Sequence, residues 1–432
     1  MNKFKSGLVL LFIILLAGCG GNNDVPGKPQ FTALVSFGDS LSDVGSYQVG
    51  PIAAVGGGQF TINAASTVKA TTPTNWTEFT SLSLGQGMPC AALTGGFGVA
   101  TTPHAGCYAY GEGGSRVTDP AGVGNAGLTG SVFNAAMTIP VVTQISDYLA
   151  SAIGNKFTGN EIVYVMAGAN DVLVQLNLLS AGATAAGNTA AGAELAFLSS
   201  GTTAANAAVA AQIQVDIASG ACIPIDLAAS NCVTPAVTTL VTIAGTNAAN
   251  TYLATNAPLA GQAMATAATE LIGYVNTQIL GNGAKYVTVI NIPDIKDTPD
   301  GQSQSVATQG LIDSLVTTFN STLMAGVDSM PQANVLYVDA YTASKDEVAN
   351  PAKYNLTNIT ATACNLSYGV NILAASGVAN SGSSLVCNAN NLNAGVSAID
   401  HYLFADTVHP TPYGHLLFAT YVLQAMTNKG WY

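Results

Sequence analysis

A serine hydroxyl, an imidazole and a carboxylate together carry acyl transfer when three conditions hold. The base must reach the hydroxyl, the acid must orient the base, and N–H donors must face the oxygen on which charge develops. Ser40 lies just past the apolar run Ala33 to Phe37, which ends in Gly38-Asp39-Ser40, within Phe37-Gly38-Asp39-Ser40-Leu41-Ser42-Asp43. A hydroxyl just past a buried strand is exposed at the sheet edge, with its own backbone N–H pointing outward. Near the other end of the chain, Asp406-Thr407-Val408-His409-Pro410 sets a carboxylate and an imidazole about one helical turn apart, so the acid can hold the ring from behind. Taken singly, Ser40 reads as a helix N-cap, and Asp406 with His409 as a surface turn before Pro410. Their joint occurrence favours chemistry.

These residues must be positioned by elements that the hydrophobic pattern makes visible. Ala33 to Phe37, Glu161 to Ala167, Lys285 to Ile292 and Val335 to Val338 are short apolar runs ending in Gly, Pro or Asp, and read as buried strands. Helical periodicity covers Val141 to Ile153, Gln262 to Leu280, Gly310 to Met324 and Gly414 to Asn428. Strands alternating with helices predict an α/β fold, a parallel sheet covered on both faces, with function at the carboxyl ends of the strands. Residues 177–260, rich in Ala, Thr, Gly and Asn, are expected to form a helical insertion packed near the site. With the loops after 45 and 377 this insertion is expected to wall the pocket. Gly45 to Ala70 and Gly377 to Ser397 read as long surface loops.

Lys3 and Lys5 precede the apolar run Leu8 to Leu16, too short for a bilayer of about 30 Å and laid out as a secretory signal. The run ends in Leu16-Ala17-Gly18-Cys19, which resembles the lipobox of bacterial lipoproteins; the plainer reading is an ordinary signal peptide. Residues 1–18 are then a signal, Cys19 a lipidated N-terminus, and 19–30 a tether to the cell envelope, the outer membrane or cell surface; with an ordinary signal the protein is secreted. The remaining cysteines, Cys90, Cys107, Cys222, Cys232, Cys364 and Cys387, are even in number, which suggests three disulfides. Six cysteines allow 15 connectivities, and closeness in sequence favours neighbour pairing. A net charge of −12, with 11 basic and 23 acidic residues, argues against nucleic acid as a partner. There is no G-x-S-x-G, H-E-x-x-H or P-loop.

Three segments in order, Phe37 to Asp43, Gly168-Ala169-Asn170-Asp171 and Asp406 to Thr411, resemble conserved blocks of the GDSL, or SGNH, lipase and esterase family. The resemblance implies a three-layer α/β/α, flavodoxin-like domain over 31–432 that needs no metal or organic cofactor. It implies Ser40 as nucleophile and oxyanion donor, Asn170 as side-chain donor, and Asp406 and His409 as the rest of a triad. Cys107-Tyr108-Ala109-Tyr110-Gly111-Glu112-Gly113-Gly114-Ser115 departs from the family's second block, with cysteine replacing asparagine and about two extra residues. Gly114 is assigned the backbone donor, with Gly113 as the alternative. Asp39 and Asp171 are expected to shape turns, and His104, His401 and His415 to be structural or surface residues. The expected partner is a small-molecule or lipid ester, acted on by a monomer. Rival readings are a deacylase of acetylated polysaccharide or polyester on the same scaffold, and a non-catalytic surface or adhesive protein.

Overall fold

A computed structural model describes residues 27–64, 72–128, 135–226, 229–367, 382–397 and 400–432. The expected signal segment, Cys19 and the tether as far as residue 26 lie outside the described residues. Among the described residues there are eight strands: β1 Ala33–Gly38, β2 Leu93–Gly96, β3 Val99–Pro103, β4 Glu161–Met166, β5 Tyr286–Ile290, β6 Val335–Val338, β7 Asn358–Thr362 and β8 Tyr402–Phe404. The described helices are α1 Gly50–Ala54, α2 Trp76–Ser83, α3 Val141–Ser151, α4 Ala169–Leu198, α5 Thr203–Ala218, α6 Val233–Tyr274, α7 Pro299–Ser303, α8 Val306–Asp328, α9 Ala340–Ala349 and α10 Pro412–Asn428.

The four expected strands form one parallel sheet in the order β1-β4-β5-β6, with Val35 opposite Val163, Val163 opposite Val287 and Val287 opposite Val335. Side chains alternate across it, as the pleat requires. Val35, Phe37, Val163, Val165, Val287 and Val289 enter a core shared with α3, α4, α6 and α8, through residues such as Ile145, Val172, Leu271 and Phe319. Leu34, Ile162, Tyr164, Met166 and Ile290 point the other way, against Trp76 of α2 and Ala419, Val422 and Met426 of α10. Both faces are therefore covered by helices, an arrangement compatible with three layers. Beyond β1, residues 108–110 add a short parallel pairing: Ser36 N–H donates to Tyr108 O (3.1 Å) and Tyr110 N–H to Ser36 O (2.7 Å).

The Ala-rich stretch is helical over most of its described length, in α4, α5 and the 42-residue α6. Small residues let α4 and α6 lie close: Gly182 sits beneath the Tyr252 ring and Gly187 faces Gly245. None of the described residues in 177–260 lines either cavity at Ser40, which corrects the expectation that this stretch walls the pocket. Its small residues pair α4 with α6, while larger apolar side chains such as Leu178, Val215, Ile243 and Leu259 stay exposed. The loop expectation is corrected too. Gln59, Thr61, Ile62, Asn63, Ser384, Leu385, Val386 and Cys387 are buried. Asn63 carries the contact, donating from Nδ2 to Gln59 O and Cys387 O, both at 2.9 Å, so two Gly- and Asn-rich segments satisfy each other's backbones.

The cysteines pair as neighbours: Cys90 with Cys107, Cys222 with Cys232, and Cys364 with Cys387. Three disulfides fit an exported protein.

Candidate active site

The chain leaves β1 at Gly38 and turns at once into a short 3-10 helix, Ser40–Ser42. Asp39 caps that turn by accepting Leu41 N–H at 3.0 Å. Burial pushes the Asp39 carboxyl up to about 7. The strand end is pinned by Gln144 of α3, whose Oε1 accepts Gly38 N–H and whose Nε2 donates to Gly38 O, both at 2.8 Å. On the opposite side, Asn75 Nδ2 donates to Leu41 O (2.7 Å) while Asn75 caps α2 together with Glu78. Ser40 is thus held by three elements before any chemistry is considered.

His409 Nε2 lies 2.8 Å from Ser40 Oγ, and His409 Nδ1 lies 2.8 Å from Asp406 Oδ2. Asp406 and His409 lie in a turn between β8 and α10. Asp406 Oδ1 accepts the backbone N–H groups of Val408 (2.9 Å) and His409 (2.7 Å), closing a tight polar turn that leads into Pro410 and α10. Ser384 N–H adds a further bond to Asp406 Oδ2 at 2.6 Å. Burial alone would raise the Asp406 carboxyl, but His409 and the Ser384 and Val408 donors outweigh it and hold it at about 2. An ionised Asp406 holds the proton on Nδ1 and leaves Nε2 free to accept from Ser40. Phe60 covers the imidazole, with ring centroids 5.0 Å apart.

Two N–H groups beside Ser40 have no acceptor among the described residues: its own and that of Gly114. Gly113 N–H is already given to Asp43 Oδ2 at 3.0 Å, which separates the two glycines chemically. Gly114 has φ +82°, and a Cβ there would lie 2.0 Å from Val123 O, so only glycine fits without a backbone shift. Asn170, at the start of α4, donates from Nδ2 to Ser115 O (2.9 Å), which fixes its amide and leaves its second N–H available. Ser40, Gly113, Gly114, Asn170 and His409 line one small pocket of about 40 Å³, flanked by Phe60, Phe97 and Leu385. Ser40, Asn170 and His409 also open onto a larger, mainly apolar cleft of about 130 Å³. No protein-family model matches the sequence, and no curated protein matches it.

Asp43 is the residue that sequence reading passed over. Fully buried, it accepts from Gly45 N–H (2.8 Å), Ser46 N–H (2.7 Å), Ser46 Oγ (2.6 Å) and Gly113 N–H, so it ties the serine turn to the glycine loop. Tyr47 donates to Gly113 O (2.7 Å) and lies 3.2 Å from Glu112, whose carboxyl burial pushes up to about 8. Asp171 accepts from Arg116 Nε (2.9 Å) and Val117 N–H (3.1 Å), joining α4 to the same loop. His104 contacts Thr94 Oγ1, and His401 stacks on Tyr413 with centroids 3.8 Å apart. His415 is buried against the larger cleft, where desolvation and His409 push its imidazole down to about 3, so it stays neutral. Among the described residues there is no cluster of three His, Cys, Asp or Glu suited to a metal ion.

Proposed function

We propose that the protein is a serine ester hydrolase of the GDSL/SGNH type, built on a flavodoxin-like α/β/α scaffold and acting through an acyl-Ser40 intermediate. One observation carries the reading: the continuous Ser40–His409–Asp406 chain of hydrogen bonds ends beside two N–H groups with nothing to bind. Ser40 Oγ attacks the ester carbonyl carbon as His409 Nε2 takes its proton. The oxyanion is met by Ser40 N–H, Gly114 N–H and the free N–H of Asn170. Collapse breaks the bond to the alcohol, which leaves with the proton from His409. Water then adds to the acyl carbon, giving His409 a proton that returns to Ser40 as the acid departs. Asp406 stays ionised throughout and stabilises the imidazolium.

Labelling with a fluorophosphonate and turnover of a short p-nitrophenyl ester test this. Wild type does both and Ser40→Ala neither; an inactive wild type, or an active Ser40→Ala, overturns it. The lipobox-like segment supports export and acylation at Cys19. Incorporation of radiolabelled palmitate that survives Cys19→Ser would overturn that part.

A further inference from the structure

Ten carboxylates are buried among the described residues. Nine accept at least one hydrogen bond, for example Asp43 with four donors, Glu78 with Thr74 and Asn75, and Asp294 with Lys296 N–H. Glu347, on α9, is the exception. Its residue is 8% exposed, it forms no hydrogen bond or ion pair, and it lines the larger cleft that begins at Ser40 and His409. Its carboxyl oxygens are not among the sealed, unpartnered atoms of the protein, so they open onto the cleft, where a bound ligand can complete them.

We propose that Glu347 sets specificity by donating a hydrogen bond from its carboxyl to an uncharged oxygen carried on the long arm of an ester bound in this cleft. The inference rests on the hydrolase reading. The rest of the wall dictates what that arm is. Leu41, Leu173, Ile295, Val348, Phe404 and Phe418 offer hydrocarbon surface, so the arm is apolar apart from its oxygen: a hydroxyl, keto or ether group within an alkyl chain.

The charges around Glu347 argue for an uncharged group. Asp294 lines the same cleft with Lys345 Nζ at 3.9 Å from its Oδ2, and Asp346 is ion-paired to Lys353 at the surface. His409 and His415 complete the titratable lining. None of these forms an ion pair with Glu347. Burial, then Asp346, push its carboxyl up to about 8, so at neutral pH it is an acid with one O–H to give. A carboxylate-bearing arm would meet Asp294, and a cationic arm would require Glu347 to ionise in apolar surroundings.

The test uses matched p-nitrophenyl and alkyl esters, with single methylenes of the acyl or alcohol chain replaced in turn by CHOH or C=O, and one cationic ester with its neutral isostere. Wild type should favour the oxygenated ester at one chain position by about tenfold in kcat/KM. Glu347→Met should erase that preference, whereas Glu347→Gln, which keeps an N–H donor, should retain it. No preference at any position, a preference that survives Glu347→Met, or selection of the cationic ester each overturns the inference while leaving the hydrolase reading intact. Failure of wild type to hydrolyse any ester removes both.

Discussion

Removing the Cys364–Cys387 disulfide should weaken catalysis as well as stability, because the bridge holds the segment that supplies a donor to Asp406. Ala363 and Cys364 pair with Phe404 and Ala405, through N–H bonds of 2.9 Å to each carbonyl, immediately before Asp406. Across the bridge, Cys387 N–H closes a turn onto Ser384 O (2.8 Å), and Ser384 N–H reaches Asp406 at 2.6 Å. With the cysteines 23 positions apart in sequence, chain entropy puts the stability cost of Cys364→Ser/Cys387→Ser at about 3 kcal/mol. The Ser384 bond is charge-assisted and contributes about 1.5–3 kcal/mol when fully formed. Asp406 keeps the Val408, His409 N–H and imidazole donors, so loss of one in four reduces activity and does not abolish it. About 1.4 kcal/mol of that reaching the transition state lowers kcat roughly tenfold. The assay is kcat and KM for a short ester well below the melting transition, beside urea unfolding of the same samples. Cys222→Ser/Cys232→Ser serves as control, since that bridge borders neither cavity and should lower stability alone. If the Cys364/Cys387 variant is less stable yet turns over within twofold of wild type, the bridge does not act through Ser384 and the reasoning fails.

Asn170→Ala should lower kcat by about 10²–10³ with little change in KM, the usual cost of one oxyanion donor, and steady-state kinetics would show it. Gly114→Ala places a Cβ against Val123 O and should destabilise the fold by about 1–3 kcal/mol while depressing kcat, measurable by melting and turnover together. Glu112 has a carboxyl raised to about 8, so its contribution to stability is complete below about 4.5 and is lost as pH rises through 8. Urea unfolding at pH 5 and pH 8.5 should therefore differ less in Glu112→Gln than in wild type. Asp406 has the opposite sign: its contribution is present above about 4 and disappears as pH falls through 2, and an acid unfolding curve of Asp406→Asn should lack that component.

The sheet was readable in the sequence because β1, β4, β5 and β6 are buried on both faces, and such strands appear as unbroken apolar runs. Ser40 stood out because it ends one of these runs, and Asp406 and His409 because their spacing is local. Long-range polar contacts carry no such pattern. That Gly113 N–H is consumed depends on Asp43, that Asp406 receives a fourth donor depends on Ser384, and neither contact leaves a periodicity. The segments at 45–64 and 382–397 have surface composition, yet Asn63, Asn388, Asn391 and Asn393 provide side-chain partners for buried backbone groups. Asparagine-rich sequence here marks internal hydrogen bonding and not solvation. Residues 177–260 showed helix-forming composition, but where those helices would lie rested on which faces pair, and small residues pair in many ways.

The short pairing of residues 108–110 against β1 has a consequence for solubility. A parallel sheet of apolar strands offers its free edge as a template to any other extended chain. Here Ser36 is already bonded to Tyr108 and Tyr110, and Ala109 is in turn bonded by Ala92 N–H and the Cys90 carbonyl, with the Cys90–Cys107 bridge alongside. The other edge, β6, is only four residues long. The net charge of −12 keeps copies apart at long range, but it does not close a strand edge once two chains are in contact. Residues 108–110 close the β1 edge by hydrogen bonding, and the Cys90–Cys107 bridge ties down the segment that does so.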